Sequence, residues 1–372
     1  MRIRCLRLIV PALFAVTLAH AEGAKDAKDI TPTDWNRFTA AQYLDAREQW
    51  WMDWPKAQRD HGTACVSCHT ALPYAIGRAA LHASSEPAPL SPQEQKMLGF
   101  VVKRVTLWQE VKPFYLTEER GPRKSEESRG SEAVLNALIL TRYDEPTGQL
   151  RQITKDALKN MSALQIKTGD EAGSWEWINF KGAPWESDES HYWGATLGAV
   201  TYSSAPASYR NQPDVKANIA LLREYLAKEY DKQPLMNRVS ALWASAKIPG
   251  LLTTRQREAL MKDIASHQQA DGGWGTATLG SWKRKDGTEL DMASDGYATA
   301  LVVYSMYEAG VPAGNKLIQA GRKWLVANQA ADGHWNATSV NKQREATADP
   351  AKFMSDAATA YATLALTAIP AR

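Results

Sequence analysis

Gly321-Arg322-Lys323-Trp324-Leu325-Val326-Ala327-Asn328-Gln329-Ala330-Ala331-Asp332-Gly333-His334-Trp335 is the stretch on which the fold turns. It begins inside an amphipathic helix. Leu317, Ile318, Gly321, Trp324 and Leu325 recur at helical spacing, with Lys316, Arg322 and Lys323 between them. The helix gives way to Gln329 and then to Gly-x-Trp. On either side of this unit lie segments of another kind. Tyr297-Ala298-Thr299-Ala300-Leu301-Val302-Val303-Tyr304 and Ala357 to Ile369 are apolar nearly all round. A helix with one polar face belongs outside, and one apolar all round belongs inside.

The same alternation runs through the chain. Periodicity predicts helices near 35–54, 70–84, 91–111, 131–143, 149–165, 188–204, 213–230, 235–247, 254–269, 293–309, 314–328 and 354–368. Ser91-Pro92-Gln93-Glu94 reads as a capping box with Pro at the first helical position. Outer-to-inner connections are long, at 55–69, 112–130, 166–187, 270–292 and 329–353, with 231–234 as the exception. Inner-to-outer connections are short, as in Gly310-Val311-Pro312-Ala313. All the long loops then fall on one face. Ser131-Glu132-Ala133, Ser190-His191, Ser294-Asp295-Gly296 and Ser355-Asp356-Ala357 are each expected to place an N-cap before an inner helix. The repeat of roughly fifty to sixty residues predicts a helical array. Its six hairpins would close as an all-α (α/α)6 toroid, one domain over 22–372.

Three outer-to-inner loops begin at a Gln and reach Gly-x-Trp: Gln329 to Trp335, Gln269 to Trp274, and the looser Gln165 to Trp175. This pattern resembles the QW repeat of the squalene–hopene cyclase and prenyltransferase superfamily, from about Gln165 to the C-terminus. The resemblance implies that each Gln caps a helix end and each Trp stacks beneath it. It does not extend to the chemistry. Type II cyclases protonate an alkene with the middle Asp of Asp-x-Asp-Asp, and the nearest stretch here is Asp291-Met292-Ala293-Ser294-Asp295. A prenyltransferase zinc triad is missing too.

A second signal sits in the first long loop. Cys65-Val66-Ser67-Cys68-His69 has the spacing of c-type haem attachment. Two thiols reach the vinyl groups of one porphyrin, and the next imidazole falls under the iron as proximal ligand. The alternative is a Cys65–Cys68 disulfide or redox dithiol; three clustered ligands are too few for a structural zinc site. Candidates for a distal iron ligand are Met97, His61, His82, His191, Met292 and Met354. With haem c the chain would carry electrons or act as a haem-dependent oxidoreductase, with a redox partner protein or small-molecule substrate at the toroid mouth and in the cavity below. Without it, the toroid would be a cyclase-like or polysaccharide-active enzyme, or a binding module.

Residues 1–21 read as an export leader. Arg2, Arg4 and Arg7 precede an apolar run to Leu18, and Ala19-His20-Ala21 offers a cleavage site. A periplasmic or otherwise exported bacterial protein is expected, with no membrane span after cleavage. Cys5 leaves with the leader, so the remaining two cysteines are both in the haem-type run. Removing three leader arginines from 44 basic residues leaves 41 against 41 acidic ones. That balance gives no footprint for nucleic acid.

Glu186, Asp188, Glu189, Asp291, Asp295 and Asp356 gather at inner-helix starts, where the helix dipole favours anions. Catalytic candidates among them are Asp188, Asp291 and Asp295, together with His191, as general acids or bases converging on the mouth. Asp291 and Asp295 would share a face if both were helical. Trp175, Trp274 and Trp335 fit the stacking slot. Trp177, Trp185, Trp193 and Trp282 do not, and are free to line a sugar, a hydrophobic ligand or haem. His267 and His334 read as surface or stacking residues, and Asn336-Ala337-Thr338 as loop.

Overall fold

The computed structural model describes residues 34–83, 89–114 and 121–370, so the leader lies outside the described residues. These residues belong to one compact unit running from Thr33 to Arg372. Helices pair along the chain: α1 (Arg37–Asp53) with α2 (Ala71–Ala83), α3 (Pro92–Thr106) with α4 (Gly121–Asp144), and α5 (Gln152–Leu164) with α6 (Ser190–Ser204). After the short α7 (Ala207–Arg210) come α8 (Pro213–Glu229) with α9 (Leu235–Ser245), α10 (Thr254–Ser266) with α11 (Gly296–Glu308), and α12 (Lys316–Ala327) with α13 (Phe353–Ala368).

The second helix of each pair packs on the next: α2 on α4, α4 on α6, α6 on α9, α9 on α11, α11 on α13, and α13 back on α2. That is a closed inner ring, and the first helices lie outside it. Burial follows the two kinds of sequence. In α11 every residue from Gly296 to Met306 is buried, whereas α12 buries Ile318, Gly321, Trp324, Leu325 and Val326. Among the described residues, the only paired strands are β1 (Gln58–Arg59) and β2 (Thr63–Ala64), antiparallel, in the first long loop. No described helix is long and apolar enough to cross a membrane.

The Gln and Trp positions join one hairpin to the next. Gln165 Nε2 donates to Gly173 O and to Asn218 O of α8. Gln268 does the same to Gly272 O and Leu317 O of α12. Gln329 donates to Gly333 O and to Asn36 O at the cap of α1, which closes the ring. The second Gln is thus Gln268 rather than Gln269, whose amide instead reaches Met292 O. Each Trp is fully buried and donates its indole N–H back to the last turns of its own outer helix: Trp175 to Met161 O, Trp274 to Ile264 O, Trp335 to Leu325 O. The glycines permit the approach. Gly333 has φ +95, and a Cβ there would sit 2.2 Å from Thr39 C on α1.

Two expectations are corrected. The second long connection is shorter than 112–130, because α4 begins at Gly121 and Ser131 lies within it. Of the four stretches expected to cap inner helices, only Ser294-Asp295-Gly296 does so. Asp295 caps α11 by accepting from Ala298 N, and Ser190 and Ser355 lie inside their helices. Several hydroxyls instead accept loop backbone: Ser131 from Ile178 N and Ser355 from Ala337 N. They stitch the long loops down onto the ring.

Aromatic side chains meet on the inner side of the ring. Tyr297 and Tyr361 meet edge to face at 5.3 Å, and Trp243 of α9 reaches Tyr361 of α13 at 6.5 Å across the intervening α11. These aromatics pack α9, α11 and α13 against one another on the inner side of the ring.

Candidate functional site

The Cys65–His69 run is built by local hydrogen bonds. Cys65 N donates to Ala57 O, and Trp51 of α1 donates its indole N–H to Cys65 O at 2.7 Å. Ser67 Oγ accepts from Thr70 N and Ala71 N and so caps the turn that leads into α2. The motif's own serine therefore places Cys68, His69 and Thr70 at the mouth of the ring.

Both thiols are free and buried. Burial pushes the Cys65 thiol up to about 12 and raises Cys68 well above its usual range. Thiols so protonated are poor nucleophiles for disulfide exchange. The pair borders a narrow cleft of about 30 Å³ lined also by Trp51, Phe114, Leu135, Ile178, His69 and Glu186.

His69 and Glu186 also line a larger cavity of about 520 Å³, with Phe180, Trp185, Phe353 and Met354 as apolar walls. Its rim carries Lys285, Lys342 and Arg344. Phe353 stacks on His69 at 3.8 Å, and Trp51 meets the ring edge-on at 4.9 Å. Burial pushes the His69 pKa down to about 3, so the imidazole is neutral at ordinary pH.

The hydrogen bonds also determine which nitrogen carries the proton. His69 Nδ1 lies 2.9 Å from Thr70 Oγ1, and Thr70 Oγ1 donates to Asp356 Oδ2 at 2.9 Å. Arg47 Nε donates to the other oxygen of Asp356 at 2.7 Å, which keeps the carboxylate an acceptor. Thr70 has spent its one proton, so Nδ1–H must donate to it. Nε2 then holds a lone pair, and among the described residues nothing hydrogen-bonds to it. A neutral imidazole with Nδ1–H engaged and Nε2 bare is the form that ligates a metal.

The structure gathers only some of the sequence candidates. Cys65, Cys68, His69, Met354, Trp185 and Glu186 surround the two clefts. Asp356 joins through Thr70. Met97 is buried within α3, and Met292 is 54% exposed on a loop. His191 sits on Ser174 Oγ at 3.1 Å and near Glu171, in the α5–α6 connection. His61 lies beside Asp60, and His82 bonds Glu94. Asp188 pairs at the surface with Lys181 at 2.6 Å. Asp291 is in a loop and lines a neighbouring cavity of about 570 Å³, while Asp295 serves as a helix cap, so the two share no helix face. Trp177 packs edge to face on Trp193. Phe353, Thr70 and Arg47 were not among the sequence candidates. Only Thr70, beside the motif, carried a local signal.

Burial alone raises the Glu186 carboxyl to about 7. The group has no hydrogen-bond partner among the described residues. Among those residues, no three His, Cys, Asp or Glu side chains converge as a protein-only metal site.

No family profile and no curated protein matches the chain. Among solved structures, a glycosidase carrying a single substitution is similar with TM-score 0.49 and 11% identity, over 89% of this chain and 97% of its own. A possible GH105-family member from Salmonella enterica serovar Paratyphi A is similar with TM-score 0.47 and 10% identity, over 88% and 93%.

Proposed function

We propose that this toroid is an exported c-type haem protein that carries electrons or acts as a haem-dependent oxidoreductase. Cys65 and Cys68 would be the thioether tethers and His69 the proximal iron ligand. The observation that carries this reading is the bare Nε2 of a neutral His69, a residue that lines the larger cavity and borders, with both free thiols, the narrow cleft beside it. The donor set fits the group. Haem asks for one protein nitrogen and two thiols, not a converging cage, and the cavity falls within the usual range for ligand sites. Phe180, Trp185 and Phe353 offer apolar walls, and Lys285, Lys342 and Arg344 offer cations for the propionates. Met354 is the one distal candidate that shares the cavity with His69. When bound, the haem supplies one-electron chemistry; the protein orients it and keeps water from its proximal side.

The test is expression with the c-type maturation machinery in the periplasm. Covalent haem retained after acid–acetone extraction, and lost in Cys65→Ser/Cys68→Ser, is expected. A mature polypeptide without added porphyrin mass sinks the reading.

Glu186 favours a second reading. A carboxyl held near neutral beside Trp185, facing an open cavity, suits a general acid acting on a polysaccharide. Glycan turnover that survives Cys65→Ser and is lost in Glu186→Gln would establish it.

A further inference from the structure

We infer that His69, Thr70, Asp356 and Arg47 form a relay that orients His69 and sets how strongly its Nε2 donates to a bound iron. The inference rests on the haem reading above. Its members come from three helices and their approaches, and Thr70 and Asp356 are 286 residues apart. The Asp356 carboxylate is saturated with donors: Tyr43 OH at 3.1 Å, Arg47 Nε at 2.7 Å, Arg47 Nη2 at 3.1 Å and Thr70 Oγ1 at 2.9 Å. Arg47 is itself held by Asp349 at 3.1 Å and lies 4.4 Å over the Trp50 ring. Arg47 and Asp356 are both buried.

A negative charge one hydroxyl away draws on the Nδ1 proton and makes the ring a stronger donor at Nε2. Carboxylates behind metal-bound histidines act in this way. Thr70 adds a spacer, which weakens the pull but fixes the direction of the proton. Arg47 on the far side of Asp356 limits it further. Thr70, Asp356 and Arg47 are therefore positioning residues. They also connect the ligand to the seam at which α13 closes on α1 and α2.

Two readouts test this with Thr70→Val, Thr70→Ser and Asp356→Asn. The first is the imidazole 15N spectrum of His69 at neutral pH, in the full chain made without haem. The parent should show the Nδ1–H tautomer alone, Thr70→Val a mixture with Nε2–H, and Thr70→Ser the parent spectrum. An Nε2–H ring in the parent, or no change in Thr70→Val, overturns the relay. The second is the midpoint potential of the haem-loaded protein. It should rise in Thr70→Val and Asp356→Asn and stay at the parent value in Thr70→Ser; unmoved potentials overturn the tuning. If the tautomer responds as expected but no haem ever attaches, the haem reading falls and the tautomer relay stands.

Discussion

Phe353 lies nearly flat on His69, with ring centroids 3.8 Å apart and planes 23° apart. It is the first residue of α13, and the same turn of that helix brings Met354 to the cavity wall and Asp356 to Thr70. One helix start therefore covers a face of the imidazole, orients its proton and lines the space in front of it.

Replacing Phe353 by Ala removes that cover. Full burial of a Phe makes such a change cost about 3–5 kcal/mol. Phe353 is half-buried, and about 2 kcal/mol is expected. Urea unfolding should show a lower midpoint, and carbethoxylation of His69 should quicken. An unchanged midpoint and rate would remove Phe353 from the site.

Gly333→Ala strikes the ring closure. The added Cβ meets the α1 backbone, and φ +95 is a conformation that alanine resists. A loss of at least about 2 kcal/mol is expected. Amide exchange should rise first in α1 and α13. Gln329→Ala should act in the same place but more gently, at about 1 kcal/mol for each hydrogen bond lost.

Arg47→Met leaves the buried Asp356 carboxylate short of its cation. Breaking a buried pair from one side costs about 3–5 kcal/mol. Asp356→Leu added to Arg47→Met should recover much of this, because no buried charge then remains. A double-mutant cycle by chemical unfolding measures both, and additive losses would show that the pair is uncoupled.

Glu186 predicts a pH dependence of definite sign. Its folded pKa of about 7 lies above the unfolded value near 4.5. The folded chain therefore holds an extra proton between those values, and stability falls as pH rises through that window. Below the unfolded value, Glu186→Gln should match the parent in the haem-free chain. At about pH 8 it should be more stable by about 1–3 kcal/mol. Equal stability at both pH values would show that the carboxyl is already solvated.

The helices and their two kinds were legible because hydrophobic periodicity is local, and the Gln and Gly-x-Trp positions marked three of the joints. Capping was partly misread. Ser91 caps α3 through a capping box with Glu94 as its sequence suggests, yet Ser131 and Ser355 serve loop backbone instead. A hydroxyl that satisfies a distant N–H looks the same in sequence as one that caps a helix. The carboxylates were harder still. Asp188 and Glu186 stand two residues apart, but one pairs in solvent and the other faces the cavity.

By itself the amino-acid sequence determined that the chain folds as alternating inner and outer helices, and that two thiols and an imidazole stand together before α2. Both follow from residues within a few turns of each other. Only the tertiary structure decided that Gln329 ties the last hairpin to the first, that aromatic side chains meet on the inner side of the ring, and that Phe353 and Asp356 meet His69 and Thr70. Those contacts join residues almost the whole chain apart, and they exist because ring closure carries α13 onto α1 and α2.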